Sequence, residues 1–216
     1  NAVPAFIDYD GDGDYDLFIS QNTSDDLVAT IKRWENTGTA TAPEFTFKED
    51  DFLGFSQFFF YNLKIQFTDI NRDTKIDLVF TGTSFQTGLT QLYFIPNQGS
   101  STVDFTNQSI QPVDFTISSS ENILVTDVNK DGLVDLLVGK TTGALQYWKN
   151  TGPEGTLDFV LEDDSFLELG STVLRQNIAC SVSDFDGDGK SDLVYGDQNG
   201  RLNIIGNFRE ATNVVN

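Results

Sequence analysis

The residues in this chain best placed to do chemistry are aspartates, and they come in groups. Asp8, Asp10, Asp12 and Asp16 occupy positions 1, 3, 5 and 9 of one nine-residue stretch, and Asp184, Asp186, Asp188 and Asp192 repeat that spacing. Asp127, Asn129, Asp131 and Asp135 follow it with one neutral oxygen donor, as do Asp69, Asn71, Asp73 and Asp77. Carboxylates this close repel one another unless a cation sits among them. Calcium takes about six to eight oxygen ligands, and a curling backbone can turn every second side chain toward it. The backbone carbonyl at position 7, on Asp14, Lys75, Leu133 and Lys190, can add another oxygen. Position 6 needs a sharp turn, which Gly13, Gly132 and Gly189 allow. Thr74 stands there in the second stretch. The pattern predicts up to four Ca2+ sites, the weakest at 69–77. An EF-hand would need Glu at position 12, but Ile19, Phe80, Val138 and Tyr195 are found there.

Charge accounting separates the alternatives. The chain has 216 residues, 33 acidic against 13 basic, for a net charge of −20. The four stretches hold 15 of those acidic residues, and four divalent ions would take −20 to −12. Compensation on that scale favours calcium needed for folding over a calcium sensor, and over solvated acidic turns without metal. The acidic balance excludes nucleic acid and anionic membranes as partners, and no apolar run is long enough for membrane insertion. Histidine is absent, and Cys180 is the only cysteine. A catalytic triad, a zinc site and an internal disulfide are therefore excluded. No other catalytic constellation is visible, so a non-enzyme is expected. The chain opens on Asn1 without a charged-then-apolar leader, which reads as a processed or cut piece of a longer protein.

The elements that must position the aspartates repeat with them. The first aspartates lie 61, 58 and 57 residues apart. Each acidic stretch is preceded by alternating apolar residues: Pro4 and Phe6, Ile65 and Phe67, Ile123 and Val125, Cys180 and Val182. That period of two predicts a strand entering the loop. Continuous apolar runs at Leu17–Ile19, Leu78–Phe80, Leu136–Val138 and Leu193–Tyr195 predict a second strand covered on both faces. A third strand ends at Asn36, Asn97, Asn150 and Asn207, read as turn residues. A fourth is expected at Glu44–Phe47, Val103–Thr106 and Leu157–Leu161, with only a polar tail after Asn207. The expected fold is all-β: a β-propeller of four repeats of about 58–61 residues, each a four-stranded blade. The blades fall near 1–60, 61–118, 119–175 and 176–216.

The DxDxDGxxD stretch followed by Asp-Leu, an apolar pair and Gly resembles the FG-GAP or VCBS-type repeat of integrin α-subunit and secreted bacterial propellers. The Gly stands at Gly139 and Gly196, is replaced by Ser20 and is displaced to Gly82. Trp34–Phe45 (WENTGTATAPEF) is similar to repeats of surface proteins exported by type IX secretion. The resemblance implies a propeller of about seven blades, so that this chain would either be completed by remaining blades of the same parent protein, the favoured reading, or close by itself as a four-bladed propeller. It implies calcium loops on one face and ligands on the opposite face. That second face would be built by Gln21–Ala29, Thr81–Thr90, Lys140–Ala144 and Asp197–Gly200, with linkers Glu49–Tyr61 and Glu162–Gln176.

Other residues carry two readings each. Trp34 and Trp148 alternate with Ile95 and Ile205 at one repeat position, which suits packing between blades better than sugar stacking. Phe52, Phe55, Phe58, Phe59, Phe60 and Tyr61 either fill a seam between blades or form a binding patch. Cys180, in the slot of Ile65 and Ile123, is expected to be a small buried residue. Asp50-Asp51 and Asp163-Asp164 read as solvated loop acids rather than a glycosidase pair. The combined expectation is a non-catalytic, calcium-stabilised propeller on a secreted or cell-surface protein, meeting a protein or glycan ligand in adhesion or recognition. A carbohydrate-binding module and the propeller domain of a polysaccharide-active enzyme are the alternatives.

Overall fold

The computed structural model describes residues 2–23, 27–106, 109–153 and 155–210. The described chain is all-β and forms antiparallel meanders of the propeller-blade type. The first sheet runs β1 (Ala2–Ile7), β2 (Asp16–Asn22), β3 (Ala29–Asn36) and β4 (Phe45–Glu49). The second runs β5 (Phe60–Thr68), β6 (Asp77–Ser84), β7 (Thr90–Ile95) and β8 (Gln111–Ile117). The third runs β9 (Asn122–Thr126), β10 (Asp135–Gly139), β11 (Leu145–Asn150) and β12 (Phe159–Asp163). The fourth has three strands among the described residues: β13 (Ala179–Ser183), β14 (Asp192–Gly196) and β15 (Leu202–Ile205). No helix among the described residues is long and apolar enough to cross a membrane.

The chain divides into two compact units, Asn1–Ser119 and Ser120–Asn216. In the first, Phe18, Ile31, Leu78, Phe80 and Ile95 join Phe52, Phe55 and Phe60 in one apolar cluster. The linker between its two sheets carries a 3-10 turn over Phe52–Phe58. Phe52 packs edge-on to Phe18 at 5.0 Å and Phe55 to Phe80 at 5.2 Å, so this turn fills the seam between the sheets. Phe58 and Phe59 stay exposed. The second unit repeats the arrangement in smaller form. Its 3-10 turn, Phe166–Glu168, contributes Phe166 to a cluster with Leu137, Leu145, Leu193 and Phe208.

Several expectations need correction. The predicted strand at Val103–Thr106 is a turn, because Asp104 Oδ1 accepts from the N–H and hydroxyl of Thr106 at 2.8 and 2.6 Å and bends the chain there. The outer strand is instead β8, whose Val113 and Phe115 alternate inward. Phe6 is 51% exposed and rests on Phe45, whereas Ala5 and Ile7 of β1 enter the core. Trp34 packs within its own blade, against Phe47 of β4 at 5.5 Å. The strand following each acidic loop is covered throughout in β10 and nearly so in β6, but β2 alternates. Cys180 is half-buried against the second cluster, and burial pushes its thiol up to about 12.

Candidate metal sites

Each acidic stretch links the first two strands of its sheet, and all four share one hydrogen-bonded curl. The first Asp accepts the N–H of position 6: Gly13 on Asp8 at 3.1 Å, Thr74 on Asp69 at 2.9 Å, Gly132 on Asp127 at 3.0 Å and Gly189 on Asp184 at 2.9 Å. Position 3 accepts the N–H of position 5, with Asp12 on Asp10, Asp73 on Asn71, Asp131 on Asn129 and Asp188 on Asp186. Position 5 accepts the N–H of position 7, with Asp14 on Asp12, Lys75 on Asp73, Leu133 on Asp131 and Lys190 on Asp188. Such bonds hold the carboxylates in place but leave each carboxylate at least one free lone pair. Position 6 is left-handed in every loop, at φ 96° for Gly13, 70° for Thr74, 82° for Gly132 and 84° for Gly189. Thr74 carries a β-branched side chain in that region, so this loop is strained where the others are not.

The loops differ in how well they suit a cation. Asp8, Asp10 and Asp12 each bring an oxygen within 4.8 Å of the others, and so do Asp184, Asp186 and Asp188. Those two sets fit a hard divalent ion directly. In the third loop the Asn129 amide donates to Asp131 Oδ2 at 2.8 Å, and Lys149 Nζ lies 3.9 Å from the same oxygen. The Asp127 Oδ1 there is buried and has no hydrogen-bond partner among the described residues, as does Asp14 Oδ1 in the first loop. An oxygen shut away from both water and donors is one that a cation would satisfy.

Position 9 has a structural role that its spacing did not reveal. Asp16, Asp77, Asp135 and Asp192 are buried. Each accepts the N–H of the Asn at or two residues past the end of the third strand: Asn36 at 2.8 Å, Asn97 at 2.9 Å, Asn150 at 2.9 Å and Asn207 at 2.8 Å. In three loops the other oxygen accepts from position 2, namely Ile70, Val128 and Phe185. The Asn then passes the link outward. Asn36 Oδ1 accepts from Gly38 and Glu44, Asn97 Oδ1 from Gly99 and Asp104, and Asn150 Oδ1 from Gly152 and Asp158. Loop, third strand and start of the outer segment are thus tied by one Asp–Asn relay. Asn207 Oδ1 has no such donors and is buried without a partner among the described residues. The signal was present in the sequence as an acidic-Phe pair after each of the first three Asn residues: Glu44-Phe45, Asp104-Phe105 and Asp158-Phe159.

Burial sets the protonation of these aspartates. It raises Asp77 to about 6 against the opposing N–H bonds from Asn97 and Ile70. Burial likewise raises Asp16 and Asp135. The Asp192 carboxyl is lowered, because the N–H groups of Asn207 and Phe185 outweigh desolvation.

Residues 127–195, from the first aspartate of the third loop to Tyr195 within β14, match the family model described as the FG-GAP-like repeat. That stretch of the chain carries an FG-GAP-like repeat. No curated protein matches the chain. In these meanders the loops between second and third strands lie at the opposite sheet end from the acidic loops. Among the loops expected to meet ligand, Gln21–Ala29 lies partly outside the described residues. In the second unit, Lys140–Ala144, Asp197–Gly200 and the linker Glu162–Gln176 come together through Thr172 N–H to Thr142 O at 2.9 Å, Gln198 N–H to Gln176 O at 2.9 Å and Arg175 Nε to Gly143 O at 3.1 Å.

Proposed function

We propose that this chain is a non-catalytic recognition domain of a secreted or cell-surface protein, held together by calcium in its FG-GAP-like loops. The observation that carries the reading is the gathering of one oxygen each from Asp8, Asp10 and Asp12, and from Asp184, Asp186 and Asp188, within 4.8 Å. Backbone N–H groups hold these carboxylates together in a chain of net charge −20. The loops at 8–16 and 184–192 are the strong sites, with Asp127–Asp135 weaker and Asp69–Asp77 weakest. Bound calcium supplies positive charge that offsets carboxylate repulsion; the chain supplies the placed oxygens. Millimolar extracellular calcium would keep loops of modest affinity filled. A protein or glycan ligand on the opposite loops, with further blades from the parent protein, completes the reading.

The test is a thermal melt in excess calcium and after exhaustive chelation. Calcium raises the melting temperature by mass action on the folded state. Asp186→Ala shrinks that rise more than Asn71→Ala does. A melting temperature indifferent to calcium would count against the reading.

A further inference from the structure

The second unit contains a cavity of about 540 Å³ at the sheet end opposite the acidic loops, lined by residues of the Glu162–Gln176 linker and of the β14–β15 hairpin. Three independent features converge on it. The chain has five arginines, and two of them, Arg175 and Arg201, line this cavity. Arg175 is committed to the wall, with Nε on Gly143 O at 3.1 Å and Nη2 on Gly170 O at 2.8 Å. Arg201 is exposed, and its guanidinium has no partner among the described residues. In so acidic a chain, a free guanidinium in a concave site marks a place for a negative group.

The second feature is backbone strain. The linkers Asp50-Asp51-Phe52-Leu53-Gly54 and Asp163-Asp164-Ser165-Phe166-Leu167-Glu168 correspond, each burying its Phe. Leu53 and Leu167 are both left-handed, at φ 58° and 57°, and so is the next residue, at φ 65° for Gly54 and 61° for Glu168. The first linker places glycine in that conformation. The second places a glutamate, and Glu168 lines the cavity. A side chain kept in a conformation that favours glycine is accounted for by what it does there. The third feature is a mixed lining: Tyr195 gives a ring, Asn203 an amide and Thr172 a hydroxyl, while the Asp197 carboxylate is engaged through Oδ1 by the backbone N–H groups of Asn199 and Arg201.

We infer that this cavity binds an acidic saccharide, with Arg201 on a uronate carboxylate and Glu168 accepting from neighbouring sugar hydroxyls. A uronic acid carries both groups on one ring, which matches a cation and an acceptor in one cavity. The inference rests on the reading of the chain as a recognition domain and gives that domain its ligand class.

The experiment is calorimetric titration of the calcium-loaded full chain with an oligogalacturonate, a neutral oligosaccharide of the same length and a Glu-rich peptide. The oligogalacturonate binds, and Arg201→Ala weakens binding by about tenfold or more, the loss of one charge-assisted contact. Glu168→Gly weakens it by a similar factor while melting at the same or a higher temperature, because glycine relieves the left-handed strain. The neutral sugar and the peptide bind at least tenfold more weakly. No binding by protein with an intact calcium-dependent melt overturns the inference, as does binding that both variants leave unchanged or that the peptide equals. Oligogalacturonate recovered shortened would sink the non-catalytic reading and leave the cavity assignment standing.

Discussion

At the residue scale the organising device is the Asp–Asn relay, and its cost structure can be tested within one chain. Asn150 is 2% exposed and its Oδ1 accepts two N–H groups, from Gly152 and Asp158. Truncation strands both donors, so Asn150→Ala is expected to cost about 1–3 kcal/mol. Asn207 holds the equivalent position, yet its Oδ1 serves no donor among the described residues, and its φ is 51°. Asn207→Gly keeps the left-handed turn and is expected to stay within about 0.5 kcal/mol of the parent. Urea midpoints at matched calcium measure both changes. Equal losses would show that the Asn residues act only as turn formers. The clustering of Asp8, Asp10 and Asp12 and of Asp184, Asp186 and Asp188 was legible because their spacing is local. The relay was not, since Asp135 and its Asn150 partner are 15 residues apart and meet only through strand pairing.

At the element scale, one repeat position explains how neighbouring blades within a unit approach. Ser20 on β2 donates its hydroxyl to Leu63 O at 2.8 Å. Gly139 on β10 holds the same place, and a Cβ there would collide with the carbonyl of Ile178, six residues before the next acidic loop, as Leu63 is. The substitution of Gly by Ser in the first repeat is thus a change from bare backbone approach to a hydrogen bond at one seam. Gly139→Ala is expected to lose about 1–3 kcal/mol through the forced shift. At Gly196, the same repeat position, an added Cβ finds only Arg201 O at 3.7 Å, so Gly196→Ala is expected to be within about 0.5 kcal/mol of the parent. Chemical denaturation of the two variants reads the difference; a neutral Gly139→Ala would remove the seam argument. The strands were legible from their period of two, and the repeat fixed their order. The outer strand of the second sheet was not, because Phe105 is buried in the core from a turn rather than from a ladder. The 3-10 linkers escaped notice because Phe52 and Phe166 sit in no periodic run, and left-handed leucines have no sequence signature.

At the scale of the whole molecule, the dominant quantity is a charge of −20, and its consequence is an inverted response to acid. Metal-free protein must keep buried aspartates ionised at neutral pH. Burial raises Asp77 to about 6, and raises Asp16 and Asp135 in the same direction. A native pKa above the unfolded value of about 4 means that the folded chain takes up protons first. The stability from these groups is fully present below about 4 and is lost as pH rises through their raised values, about 6 for Asp77. Asp192 and Asp104, lowered by hydrogen bonds, work the other way, but their contribution is lost only below the ordinary carboxylate range. In excess chelator the melting temperature should therefore rise as pH falls from 7 to 5, helped by weaker self-repulsion, and drop again below about 4. In excess calcium the slope between 7 and 5 should reverse, because protons compete with the ion for the same oxygens. Asp77→Asn carries no titrating carboxyl at that position and should flatten part of the rise seen in chelator. A metal-free melting temperature that falls steadily from pH 7 to 5 would mean that these aspartates are not held unfavourably ionised, and that calcium relieves no stored repulsion in them.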